Sequence, residues 1–440
     1  MKTICIMFIL LIMFTGCNQT SQATPVPEIV TPSPVTETAG VTQAPVIEAS
    51  QVPDKEPTVS DKSGKGDIKS LAKGYTDFGF NLFSEVAKEN KGKNIFISPA
   101  SVAFALSMTG NGAQGTTGDA MADVLKFKGM GLEEVNLLNK LLMEELERPG
   151  SKIELSIANS LWCRPDIKFK EDFTGRCKDF YSAEVSNNFD ADVINAWVKE
   201  KTKEKISKII DKIPEEAILY LINAIYFKGT WTYEFDKKKT EAKDFYLLNS
   251  SKKKCSMMSQ GGKFSYYRGD KFQAVNLPYG DGSTSMYIFL PDEKTGLAEF
   301  QKNLNEKNWA KWMKSFQVKE GDILLPRFKI EYELLLNDSL SSLGMGIAFD
   351  QSEANFRNMC EFSSEENVYI NRVIHKTFVE VNEEGTEAAA VTAVEMRLKS
   401  VSVNPEPPDR FYMPVDHPFF FVIRDNKTGL ILFIGSIVEP

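Results

Sequence analysis

Histidine is the scarcest residue of this 440-residue chain: only His375 and His417 occur. They stand far apart with no HExxH around them, so a His-rich metal centre is excluded, and any His-based triad must draw on one of these two. Cysteine is sparse as well. Six occur, with no CxxC pair and no zinc-finger spacing. Cys163, Cys177, Cys255 and Cys360 read as buried free thiols, with a Cys163–Cys177 bridge as the alternative in an oxidising compartment. Positive charge is not in excess either. Against 60 Asp and Glu there are 52 Lys and Arg, a net of −8, which argues against a nucleic-acid partner held on a basic face. No GxSxG, P-loop or kinase signature is present, and no pair of carboxylates has a spacing that points to acid–base work. No metal and no cofactor is therefore expected. At 42% apolar and 25% charged, the composition fits neither wholesale disorder nor a polytopic membrane protein.

The run Gly110-Asn111-Gly112-Ala113-Gln114-Gly115 matches a dinucleotide fingerprint in letters only. That motif needs a strand before its first glycine, whereas Ser98-Pro99 opens a helix that runs into it, so the run is a helix-ending loop.

The N-terminus reads as a targeting segment. Lys2, the apolar run Ile4 to Phe14 and Thr15-Gly16-Cys17 make residues 1–16 a signal peptide too short to span a bilayer. Phe14-Thr15-Gly16-Cys17 resembles a bacterial lipobox, which implies cleavage before Cys17 and a lipid on it, with plain secretion as the alternative. Residues 17–66 then form a tether. From 18 to 66 there are seven of the chain's twenty prolines and no aromatic residue, so no core can form. As a coil, the tether spans roughly 35–42 Å root-mean-square. The expected location is outside the cytoplasm, lipid-anchored to a membrane.

From Asp67 to Pro440 the composition is globular. Leu71, Tyr75, Phe78, Leu82 and Val86 predict a helix over 67–89, and Ser98 caps a second that begins with Pro99. A third is predicted from Ile194, Trp197, Val198, Ile206 and Ile209. Strand-like runs cover Ala217–Phe227, Met286–Leu290, Ile323–Ile330, Phe419–Ile423 and Leu430–Ile437, the last two flanking a turn at Asp425–Gly429. The expected architecture is one mixed α+β domain over 67–440.

Residues 379–394 are alanine-rich and small. Propensity favours a helix there. A period-two reading separates the faces more cleanly: Thr386, Ala388, Ala390, Thr392, Val394, Met396 and Leu398 fall on an uncharged face, while Glu387, Glu395, Arg397 and Lys399 fall on the other. A stretch able to be either loop or buried strand is a candidate switch.

Several motifs together resemble the serpin family over everything after the tether. They are Asn94-Ile95-Phe96-Ile97-Ser98-Pro99 with Ser101 and Gly110–Thr117; Asn223-Ala224-Ile225-Tyr226-Phe227-Lys228-Gly229-Thr230-Trp231; Val373-Ile374-His375-Lys376-Thr377-Phe378 with Glu383-Glu384-Gly385-Thr386-Glu387-Ala388-Ala389-Ala390; and Asp416-His417-Pro418-Phe419 with the closing hairpin. The resemblance implies a serpin fold, with a large, mostly antiparallel main sheet, additional sheets, eight or nine helices and an exposed reactive loop. It also implies a monomeric suicide inhibitor of serine proteases, with cysteine proteases as a second target class, rather than an enzyme. The partner is the target protease, held as a covalent acyl complex, with a membrane reached through the lipid on Cys17.

By the same resemblance Glu383, Glu384, Gly385, Thr386, Glu387, Ala388, Ala389 and Ala390 form the loop hinge, and Ser98, Ser101, Asn223 and His375 a polar cluster under the opening sheet, with Trp231 where the loop enters. The reactive bond falls at Lys399-Ser400, which suits trypsin-like targets, with Arg397-Leu398 as the second register. The absence of proline and of inward charge from Gly385 to Leu398 favours insertion over the alternative of a non-inhibitory serpin-fold binding protein.

Overall fold

Apolar residues stepping by three and four, and two runs apolar on both faces, dictate most of what a computed structural model of the chain contains. The structure describes residues 67–147, 152–294, 296–361, 367–386 and 410–440. In chain order the elements are α1 (Ile68–Glu89), β1 (Ile95–Ile97), α2 (Pro99–Gly110), α3 (Gly115–Val124), α4 (Leu132–Leu146), β2 (Ile153–Cys163), β3 (Lys168–Phe169), α5 (Glu171–Tyr181), β4 (Glu184–Ser186), α6 (Ala191–Lys201) and β5 (Leu219–Thr230). There follow β6 (Glu241–Tyr246), β7 (Lys252–Gly269), β8 (Phe272–Tyr279), β9 (Thr284–Pro291), α7 (Gly296–Gln301), α8 (Glu306–Met313), β10 (Gln317–Pro326), β11 (Phe328–Leu335) and α9 (Asn337–Leu340). The last strands are β12 (Cys360–Glu361), β13 (Arg372–Val381), β14 (Gly385–Thr386), β15 (Phe411–Pro414), β16 (Phe419–Asp425) and β17 (Ile431–Ile437).

Two large sheets result. A nine-stranded one runs β1-β17-β16-β9-β8-β7-β10-β15, with β6 on β7. A six-stranded one runs β11-β13-β14-β5-β2-β4 and holds the site. Helices cover both of its faces, which is why β5 reads as an almost continuous apolar run and why β13 is buried from Val373 to Val379 although it carries His375, Lys376 and Thr377. On one side lies α2, buried from Pro99 to Thr109 and packed on β2, β5 and β17. On the other, Ile194 and Val198 of α6 meet Trp162, Tyr220, Ile222, Ile374 and Phe378. The result is an α+β fold with nine α-helices among the described residues.

Asp67 caps α1 by accepting from the Ser70 amide at 2.6 Å, and Ser98 caps α2 just before Pro99, as the sequence predicts. The helix predicted to reach Ile209 ends at Lys201. Ile206 and Ile209 instead reach the α6 cluster from irregular chain, so their burial is tertiary and not helical in period. The run 323–330 is two strands, β10 and β11, broken at Arg327. The Cys163–Cys177 bridge is not formed: both are free, buried thiols, and Cys163 hydrogen-bonds Cys360.

Candidate functional site

The centre of the six-stranded sheet is a seam between two parallel strands. From Arg372 to Phe378, β13 pairs in parallel with Tyr220 to Tyr226 of β5. Above this closed stretch the flanks diverge and admit one further residue pair. Thr386 of β14 lies opposite Val381 on one side and Gly229 on the other, antiparallel to both. The hinge, expected in an exposed loop, thus begins inside the sheet.

Chain geometry explains which residues enter. Gly385 has a φ of +153°, and a Cβ there would stand 2.0 Å from the Gly229 carbonyl oxygen, so only glycine fits. Thr386 follows, fully buried, its hydroxyl 2.7 Å from the Tyr279 hydroxyl. The Trp231 ring stacks on Tyr279 with centroids 4.3 Å apart, and its indole N–H donates to the Asn382 carbonyl at 2.9 Å. The amides of Trp231 and Phe235 donate to the carbonyls of Glu384 and Glu383, each at 2.9 Å.

Charge secures this entry. The Glu383 carboxylate accepts from Arg327 Nε at 2.8 Å and from the Thr240 hydroxyl, while Glu384 pairs with Lys237. Burial opposes ionisation of Glu383, but the Arg327 guanidinium and the Thr240 hydroxyl outweigh it and hold the carboxyl below its ordinary range.

Lower down, the seam is closed by neutral polar groups. His375 Nε2 accepts from the Ser98 amide at 3.0 Å, so Nδ1 carries the proton and donates to Asn223 Oδ1 at 2.5 Å. Asn223 in turn donates to Ser101 Oγ and to Asn159 Oδ1, each at 2.5 Å, and Ser98 Oγ donates to the Leu432 carbonyl at 2.6 Å. Complete burial pushes His375 down to about 3, so it is neutral at physiological pH. His417 is elsewhere, between Asp416 and the Pro291 carbonyl. The hydrogen bonds around His375 and Asn223 tie α2, β2, β5, β13 and β17 together.

The structure thus brings Ser98, Ser101, Asn223 and His375 into one network, and Trp231 with Glu383, Glu384, Gly385 and Thr386 at the seam's upper end. Glu387, Ala388, Ala389, Ala390, Arg397, Leu398, Lys399, Ser400 and Cys17 lie outside the described residues. Sequence reasoning missed Asn159, Tyr279, Arg327, Lys237 and Thr240. Asn159 had a signal: a polar residue at an alternate position of β2 otherwise held by Ile153, Leu155, Ile157 and Leu161. The others come from distant segments and had none.

Comparison with known proteins agrees with this geometry. Residues 73–440 match the family described as Serpin (serine protease inhibitor). Serpin B8 of Homo sapiens is 38% identical over 386 residues, covering 85% of this chain and all of the relative; Serpin B6 of Macaca fascicularis is 37% identical, covering 84% and 99%. Among solved structures, the thermophilic serpin tengpin in its native state superposes with a TM-score of 0.78 at 32% identity, covering 86% of this chain and 96% of that one. Human thyroxine-binding globulin in complex with thyroxine gives 0.76 at 26%, covering 85% and 99%. With relatives matched end to end and the family pattern running from the first helix to the last residue, the chain belongs to the serpin family.

Proposed function

We propose that this serpin is an inhibitor of trypsin-like serine proteases, working outside the cytoplasm on a lipid-anchored tether. A protease cleaves Lys399-Ser400, and the freed strand enters the seam before the acyl-enzyme hydrolyses. Loop insertion is strand addition to a sheet. The observation that carries this reading is the register of β14. If the antiparallel register of Thr386 continued, each later residue would drop one position along both flanks, so Thr392 would arrive beside Asn223 and His375, and Met396 beside Leu219 at the end of β5. The seam therefore has the length and polarity of the segment it would receive. About a dozen ladder bonds at roughly 1 kcal/mol each give on the order of 10 kcal/mol. Fully coupled, that slows deacylation by at most about seven decades.

Incubation with trypsin tests the proposal. An inhibitor yields a complex that survives denaturing electrophoresis, with a released C-terminal fragment whose mass starts at Ser400. A fragment starting at Leu398 moves the cut to Arg397-Leu398. Clean cleavage with no complex would leave a non-inhibitory binding protein as the reading. For the anchor, Cys17→Ser should release the protein from membranes.

A further inference from the structure

The foot of the seam carries a basic notch that the described residues leave unfilled. A cavity of about 400 Å³ opens there between the irregular chain after α6 and the strands β11 and β13. Its walls include Ile209, Ile210 and Leu335, and four cations face it, Lys208, Lys212, Arg372 and Lys376, against only Asp211 and Glu333. Two of the cations are engaged. Lys208 pairs with Asp211 at 2.6 Å, and Lys376 reaches Glu333 at 3.0 Å and Glu331 at 2.9 Å. Arg372 has no ion pair among the described residues, and its guanidinium stands 5.6 Å over the ring of Tyr220.

Tyr220 is the residue opposite Arg372 across the seam. A strand entering the seam separates them, widening the gap between flanks from about 4.8 Å to roughly twice that. Arg372 then loses the ring and acquires a new neighbour, which the register identifies. Thr386 lies opposite Val381 and Gly229, so nine residues on, position 395 would lie opposite Arg372 and Tyr220. Nine is odd, so its side chain would face away from the Tyr279 side and toward the α6 side, where Arg372 lies. That residue is Glu395, which lies outside the described residues and enters here by its place in the sequence.

We propose that the notch receives Glu395 of the cleaved loop, and that its ion pair with Arg372 fixes the depth of insertion. Residues directly opposite have Cβ atoms about 4.5–5.5 Å apart, within reach of a carboxylate–guanidinium pair. A slip of two residues brings either Ala393, leaving Arg372 unpaired, or Arg397, setting like charges together. The other glutamate on that face cannot set the register: Glu387 would arrive between Lys228 and Glu380, one attracting and one repelling. Both candidate cuts leave Glu395 on the inserting side. The assignment rests on the insertion proposed above and makes Arg372 a positioning residue.

The full-length protein tests it with Arg372→Glu, Glu395→Lys and the double exchange. Native and loop-cleaved forms are compared by their guanidinium unfolding midpoints, and trapping by the number of inhibitor molecules consumed per protease. In the wild type, cleavage should raise the midpoint strongly. Each single exchange should lower the midpoint of the cleaved form by more than that of the native form, where Arg372 has only the Tyr220 ring to lose, and raise the stoichiometry, up to about fivefold for a cross-strand charge pair. The double exchange should restore both. If cleavage leaves the wild-type midpoint unchanged, insertion itself is overturned. If it rises but the single exchanges do nothing, or the double fails to restore, the Glu395–Arg372 pair is overturned while insertion stands.

Discussion

The two ends of one seam are held by opposite chemistry. At the top, where Gly385 and Thr386 sit between β5 and β13, the hinge is tied by charged groups with one partner near solvent: Arg327 to Glu383 and Lys237 to Glu384. In the middle, the same two strands are closed by uncharged, fully buried groups around His375 and Asn223. Removing one partner of a buried hydrogen bond leaves the other group to bear its full desolvation cost, whereas exposed ion pairs are screened and contribute little. On the insertion proposed above, the difference would make entry and passage separate steps. The top is already parted, with Glu383 buried against Arg327 and Lys237 near solvent; for a strand to pass, the middle would have to break a buried network.

The largest expected effect comes from closing the entry. Thr386→Arg would place a guanidinium where a fully buried hydroxyl meets Tyr279, and the hinge would leave the sheet. Trapping should fall more than tenfold while loop cleavage continues, read as complex against cleaved product on a denaturing gel. Undiminished trapping would show that Thr386 does not lead the inserting strand.

Breaking the middle should act on stability first. Asn223→Ala leaves His375 Nδ1–H and Ser101 Oγ without their buried partner, at about 1–3 kcal/mol for each orphaned group. Urea unfolding should show the loss, and a variant as stable as the wild type would mean that the network does not hold the seam. The same cluster predicts a pH slope. His375 is held at about 3 in the native protein against about 6.5 unfolded, so below pH 6.5 the unfolded chain binds a proton that the native protein refuses. Stability should therefore fall from pH 6.5 toward 3, by on the order of 5 kcal/mol from this group, and not change above 6.5. His375→Gln should flatten that part of the curve.

How much of this was legible in the sequence follows from the kind of force involved. The caps of α1 and α2, the strand β5 and the closing hairpin are local: their period, cap residues and turn residues lie within a few positions. The polar cluster was legible only through the family resemblance, because Ser98, Asn223 and His375 have no spacing that signals contact. The entry of Gly385 and Thr386 into the sheet was not legible, since glycine is required at 385 only by the close approach of the Gly229 carbonyl oxygen. Arg327 was read as the inside of a single strand run, although Pro326 beside it, unable to donate to a ladder, was a local signal of the break.

At the top, Glu383→Gln should cost more than any change at Lys237. Glu383 is 2% exposed and faces both Arg327 and Thr240, so its loss should remove about 1–2 kcal/mol. It also has a pH signature. A carboxyl held below its ordinary range stabilises the native protein above the unfolded pKa, and that contribution is lost as pH falls through the lowered value. The Gln variant should lose this acid-side decline. Lys237→Ala should have the smallest effect. Its side chain is 58% exposed, so the pair with Glu384 is screened and its loss should move stability by less than about 1 kcal/mol. What little it contributes should vanish on raising salt from 0.05 to about 1 M, where the screening length shrinks to about 3 Å. The His375 network should be nearly insensitive to the same change. Equal salt sensitivity at both places would erase the distinction between a charged entry and a neutral interior, and the seam would then open as one unit.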